Sequence, residues 1–161
     1  MSVRITKTQN VPQRYIPKNI SAKDKKKQVR ELRKSRKLYK KGIFYQRASL
    51  KSFHSKPSSH VKNAMKLYNV ENMAPTKSLS TKTGCTRKAL EKIINKGEGA
   101  FFSSGSRPNQ TAQSWGYARL ASAITGANAS IVDYGILKNG CKPSSKALKL
   151  ATITKKKRVH F

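Results

Sequence analysis

Acids are what this chain has least of: 6 Asp plus Glu stand against 36 Lys plus Arg in 161 residues, a formal charge of +30. A free monomer so charged repels itself and attracts any polyanion, which places the chain beside phosphate or an acidic protein surface. Apolar residues are scarce too, at 36% against about 45–50% in globular domains. A core is possible, but it cannot run the whole length. No apolar stretch approaches the roughly 18 residues of a membrane span, and the N-terminus lacks the apolar run of a secretory signal. The two cysteines, Cys85 and Cys141, are too few for a disulfide framework and have no CxxC spacing, so a reducing compartment is expected.

Catalytic chemistry is thin as well. His54, His60 and His160 have no metal-ligand spacing with one another or with the cysteines. The six acids offer no carboxylate pair close in sequence. Cys85, at a helix start, is a candidate activated thiol, but no histidine lies near it in sequence. The expectation is a protein without enzymatic activity, cofactor or small-molecule substrate.

What is present is basic charge, unevenly spread. Residues 1–56 hold 18 basic and 2 acidic residues, or +16, and residues 57–151 hold 14 and 4, or +10. The tail adds Lys155, Lys156, Lys157 and Arg158. Residues 97–137 are neutral, with Arg107 and Arg119 against Glu98 and Asp133, and carry Phe101, Phe102, Trp115, Leu120, Ile124 and Leu137. The folded core is expected to centre there, between basic arms.

Along the chain, residues 1–20, with Pro12 and Pro17, read as an extended arm. Ser21-x-x-Asp24 is a capping box, and Gly42 suits the stop of a basic helix over 21–42. Val29, Leu32 and Tyr39 give that helix only a thin apolar stripe, so it needs a partner surface. Residues 43–53 read as a short strand or an extended crossing. Ser59 can cap a helix with Val61, Ala64, Met65 and Tyr68 on one face, ending at Asn69.

Residues 76–97 carry the clearest motif. Thr76 caps a short helix, Gly84 ends it, Thr86 caps the next and Gly97 closes that one. Leu79, Ser80, Gly84, Cys85, Leu90 and Ile93 fall at helix-turn-helix spacing. The second helix shows Arg87, Lys88, Lys92 and Lys96, which suit a major groove, but no Asn or Gln near its start to read bases. The alternative is a helical hairpin packed on the core with solvated lysines. Any DNA contact is expected at the backbone.

Residues 97–111, with three glycines, three serines and Arg107, read as a structured loop over a phosphate-binding nest; the GK[ST] ending of a P-loop is missing. Thr111 then caps a helix to about Thr125, Gly126 ends it, Ser130-x-x-Asp133 is a second capping box before a stop at Gly140, and a short helix begins at Ser144 or Ser145. The fold class is therefore mainly α: five or six short helices in a small bundle with a helix-turn-helix-like pair. A small helical domain is expected over 43–151, with extended basic arms at both termini, over 1–20 and in the basic tail 152–161.

Three runs, KGIFYQRASLKSFHSKPSSHVKNAMKLY (41–68), LSTKTGCTRKALEKIINKGEGAFFSSGSRPNQTAQSWGYARLASAITG (79–126) and VDYGILKNGCKPSSKALKLA (132–151), together resemble an uncharacterised small basic domain. It recurs in nucleocytoplasmic large DNA viruses, notably of algae, with a shorter echo in tailed phages. The most specific part is GSRPNQT followed by SWGYARLASAITG (105–126). The resemblance covers about residues 41–151, leaves 1–40 outside, and brings no catalytic residues. It implies a virus-encoded protein, made in the host cytoplasm and expected to reside in the virion as a capsid or sub-capsid component.

Arms too poor in apolar residues to order themselves call for a regular surface, which a protein lattice supplies better than heterogeneous DNA. The expected function is thus a minor capsid protein whose arms bridge subunits, the major capsid protein included, or link shell to interior. The alternative is a virion protein that coats or condenses the genome through phosphates. Partner or polyanion contact is expected from Lys25, Lys26, Lys27, Arg30, Arg33, Lys34, Arg36, Lys37, Lys82, Arg87, Lys88, Lys92, Arg107, Lys155, Lys156, Lys157 and Arg158. DNA or an anionic membrane surface is the polyanion in view.

Overall fold

Eight α-helices and no strand form among the described residues of the computed structural model, which describes residues 11–103, 105 and 107–159. They are α1 (Ala22–Tyr39), α2 (Ser59–Tyr68), α3 (Lys77–Thr83), α4 (Arg87–Ser103), α5 (Ala112–Ile124), α6 (Asn128–Val132), α7 (Tyr134–Gly140) and α8 (Lys146–Val159), preceded by a 3-10 turn at Gln13–Tyr15. The fold is mainly α, as the sequence pattern implies. Two units interleave in sequence: Met1–Lys56 with Gly99–Ala112, and Pro57–Glu98 with Gln113–Phe161.

In the first unit, α1 starts where the sequence says it should. The Ser21 hydroxyl accepts the Asp24 N–H at 3.1 Å, satisfying one orphan donor of the first turn. Only half of the capping box forms, however. Asp24 turns away and accepts from the Ser52 N–H and hydroxyl, at 2.9 and 2.5 Å, while the Ser21 N–H donates to Ser52. The buried face of α1 is Asp24, Gln28, Glu31, Leu32 and Ser35, a stripe at helical spacing that is almost entirely polar. Buried polar groups must be hydrogen-bonded, and these are. Gln28 donates to the Tyr15 carbonyl, Glu31 accepts from the Tyr45 hydroxyl and the Ala48 N–H, and Ser35 donates to the Phe102 carbonyl.

Phe101 and Phe102 lie in the last turn of α4, where carbonyls lack partners within the helix. Arg47, 8% exposed, donates from Nη1 to the Phe101 carbonyl at 2.8 Å and stacks over the Phe101 ring at 4.0 Å. A cation at a helix C-terminus is also favoured by the helix dipole. Burial pushes the Arg47 guanidinium down to about 10.

The second unit holds the larger core. Ala64, Tyr68, Met73, Leu79, Leu90, Ile93, Leu120, Ile124, Leu137, Ala147 and Ala151 pack together, so apolar residues of α2, α3, α4, α5, α7 and α8 share it. It draws on residues well outside 97–137. Gly97 of α4 meets Gly116 of α5 so closely that a Cβ on Gly97 would lie 2.7 Å from the Gly116 Cα and 2.9 Å from the Trp115 carbonyl.

Several expectations need correcting. Gly97 does not close the second helix of the motif, and 97–103 are not loop: α4 runs through both glycines to Ser103, because close packing against α5 makes a small residue at Gly97 useful inside the helix. Ser130-x-x-Asp133 caps nothing; Ser130 lies within α6 and its hydroxyl donates to the Ala127 carbonyl. The basic tail is no extended arm as far as Val159, since Ser145 caps α8 through the Leu148 N–H and the helix continues over Lys155–Arg158. Of the N-terminal arm, residues 1–10 lie outside the described residues. Its remainder contains the 3-10 turn and Val11, which is 3% exposed. Ser104, Ser106, His160 and Phe161 also lie outside.

Cys85 and Cys141, expected to be reduced, are joined as a disulfide. Their separation of 56 residues hides the pairing from any local spacing rule. The two face each other in an antiparallel bridge, held by Thr86 N–H to Gly140 carbonyl and Lys142 N–H to Gly84 carbonyl, each 2.8 Å.

Candidate functional site

Charge is sorted by the fold. Helix α1 carries nine Lys and Arg and two acids, and both acids, Asp24 and Glu31, are buried and used by the hydrogen bonds above. Two residues along from Asp24, roughly opposite on the helix, begin Lys26, Arg30, Arg33 and Lys37. These are all exposed and fall at i, i+4, i+7 and i+11, a stripe about 16 Å long. Asp24 and Glu31 are the only acids in residues 11–56 and 99–112. The described surface of the first unit therefore exposes cations without an exposed carboxylate side chain among them. Hydrogen bonds from the Ser52 hydroxyl and N–H hold the Asp24 carboxyl below its usual range, so it stays ionised inside. The Glu31 hydrogen bond, then burial, push the Tyr45 hydroxyl up.

Other α1 cations have internal contacts. Lys27 donates to the Ser49 carbonyl at 2.9 Å, Lys34 lies 4.5 Å over the Tyr45 ring, and Arg36 lies 5.5 Å over the Tyr15 ring. Lys25 is half-buried. Arg107 is exposed and lines a cleft of the first unit together with Arg14.

In the second unit the helix-turn-helix pair is present as α3, a turn at Gly84 with φ +76, and α4. The glycine is required twice over, since a Cβ there would also lie 2.6 Å from the Ser145 Cβ. The cations assigned to a groove divide. Arg87 donates from Nε to the Pro75 carbonyl at 2.9 Å, and Lys96 ion-pairs with Asp133 at 2.7 Å. Lys88 and Lys92 remain exposed one turn apart. Lys82 donates to the Asn69 carbonyl. On α8, Lys155 lies 4.1 Å over the Tyr134 ring, Arg158 reaches Asn128, and Lys156 and Lys157 are exposed.

Sequence reasoning missed the inward acids and Arg47. Asp24 and Glu31 sit seven residues apart, a one-face spacing that was available as a signal; Arg47 left none. Among the described residues no group of three His, Cys, Asp or Glu could hold a metal ion, and no helix is long and apolar enough to cross a membrane.

A small, basic, all-α protein whose first unit buries both of its acids is the class these features define. The chain belongs to the family of unknown function DUF5824, whose match covers residues 12–157. That span takes in α1, which the resemblance at 41–151 leaves out. No curated protein and no solved structure matches the chain.

Proposed function

We propose that this chain is a non-enzymatic nucleic-acid-coating protein that binds backbone phosphate through the outer face of α1. The observation that carries the reading is the inward placement of Asp24 and Glu31. A helix that spends both carboxylates on its buried side keeps Lys26, Arg30 and Lys37 exposed on the outer one. Cations so arranged release counterions from a polyphosphate on binding, without reading bases. The setting implied by the resemblance, a large DNA virus, makes the viral genome the natural polyanion. The shell reading drew on arms that could not order themselves; the basic helix expected over 21–42 has partners within its own unit, and 152–159 continue α8, which weakens that ground.

The test is the salt dependence of binding to a mixed-sequence duplex. Replacing Lys26, Arg30 and Lys37 by Glu should flatten the slope of log K against log salt by about 2.7, at roughly 0.9 per phosphate contact. Scrambling the duplex sequence should change nothing. An unaltered slope in the triple variant would sink the reading.

A second reading, the minor capsid protein, is favoured by Phe44 and Val132, each 69% exposed. Such residues suit a protein partner, the major capsid protein among them. Stepwise stripping of virions separates the two: release with the genome core fits the first, release with capsid fractions the second.

A further inference from the structure

Arg107, Pro108 and Gln110 come from the GSRPNQT run, part of the stretch that reads as a structured loop, and they line a cleft of about 520 Å³ in the first unit. That size lies within the roughly 300–1,000 Å³ of sites for small organic groups. Phe53, His54, Lys56, Arg14 and Tyr15 line the cleft as well. The rim is cationic, from Arg14, Lys56 and Arg107, all exposed, and no acid lines the cleft.

Part of its lining is aromatic or apolar, from Tyr15, Pro17, Phe53 and Pro108, and the backbone there is held in place. Asn109, with φ +58, donates from Nδ2 to the carbonyls of Leu50 and Phe53 at 3.1 and 2.9 Å and accepts the Leu50 N–H at 2.7 Å. That clamp fixes the backbone of the turn carrying Phe53. The two rings differ in what covers them. Tyr15 has the Arg14 and Arg36 guanidinium groups over it, at 5.1 and 5.5 Å. Phe53 is half-buried, and no ring or cation stacks on it among the described residues.

We infer that the cleft takes one nucleotide unit of a single strand, its base stacked on Phe53 and its phosphate at Arg14, Lys56 and Arg107. A flat aromatic group with an attached anion matches a half-buried Phe53 ring in a cleft lined by three exposed cations, and stacking accepts any base because each has a π-face. A duplex keeps its bases inside the stack and cannot offer one. The strand, and not a free nucleotide, is the source because three cations, Arg14, Lys56 and Arg107, line the cleft, more positive charge than a single phosphate neutralises, and the phosphates on either side take up the rest. The inference rests on the phosphate-binding reading above and adds to it a place for the base.

The experiment measures affinity for labelled oligo-dT, for an abasic strand of equal length and charge, and for a duplex. Oligo-dT should bind about 10-fold more tightly than the abasic strand, the scale of one stacked base. The Phe53→Leu variant should lose that preference and keep its abasic affinity, which also certifies its fold. Arg107→Ala, at an exposed position, should weaken oligo-dT binding. Equal affinity for the dT and abasic strands, with a steep salt slope, overturns the base site alone. Loss of all binding overturns the phosphate reading with it. A dT preference that survives Phe53→Leu overturns the assignment to this cleft. Thymidine monophosphate at millimolar excess should leave most oligo-dT bound; complete displacement would make the free nucleotide the ligand and overturn the strand.

Discussion

Arg119 holds Asp133 with a two-pronged grip: Nε donates to one carboxylate oxygen at 2.8 Å and Nη2 to the other at 2.9 Å. The Asp133 side chain is fully buried, and Lys96 adds a third bond at 2.7 Å. One carboxylate thus joins α4 and α5 to the junction of α6 and α7. Burial by itself would raise the Asp133 carboxyl; the hydrogen bonds from Arg119 and Lys96 outweigh it and hold the group below the ordinary carboxylate range.

Asp133→Asn should therefore lower stability by about 3 kcal/mol, the lower end of what breaking a buried pair costs, since Lys96 keeps much of its solvent. The pH dependence has a fixed sign. A carboxyl depressed in the fold stabilises above its unfolded value near 3.9, and that contribution disappears as pH falls through the folded value. Denaturant melts followed by Trp115 fluorescence should show the gap between wild type and Asp133→Asn closing below about pH 4. A gap that stays constant from pH 7 to pH 3 would contradict the assignment.

The cystine carries a separate expectation. Closing a loop of this length restricts the unfolded chain and stabilises by about 2–4 kcal/mol. Protein purified without reductant should show no free thiol by thiol titration under denaturing conditions. Adding reductant, or replacing both Cys85 and Cys141 by Ala, should lower the denaturation midpoint by the same amount. Two titratable thiols in the native, unreduced protein would disprove the pairing.

Two glycine-to-alanine substitutions should act in opposite directions. Gly97→Ala forces a methyl against the backbone of Trp115 and Gly116 and should cost about 1–3 kcal/mol, as overpacking does. Gly135, exposed in α7, has nothing within 4 Å of a built Cβ, so Gly135→Ala should stabilise by roughly 0.5–1 kcal/mol through helix propensity. Thermal melts of both variants decide this; equal shifts would mean that the close approach of α4 and α5 is unimportant.

Several caps and stops were legible because they are local, although α2 is capped by Ser58 and not by Ser59. Ser21, Thr76, Thr86 and Ser145 each hydrogen-bond within three residues, and Asn69, Gly84 and Gly126 take the positive φ that ends helices. The inner face of α1 was not legible, because apolar periodicity cannot see a stripe of Asp24, Gln28, Glu31 and Ser35. Their partners, Ser52, Tyr15, Tyr45 and Phe102, come from loops and from a distant helix end.

Charged positions were readable in number but not in direction. Arg87 and Lys88 are exposed neighbours, yet of the two it is Arg87 that bonds the Pro75 carbonyl. Only the packing of the 70–76 segment decides that. The cleft escaped for the same reason: Asn109 ties the Phe53 turn to the segment carrying Arg107 across more than fifty residues.

The Cys85–Cys141 bond makes a covalent ring of everything between those residues, and residues 99–112, which belong to the first unit, are threaded on that ring. A protease that nicks the chain once anywhere from 86 to 140 would therefore release no fragment. The two pieces would stay one molecule by mass, and part only when the cystine is reduced.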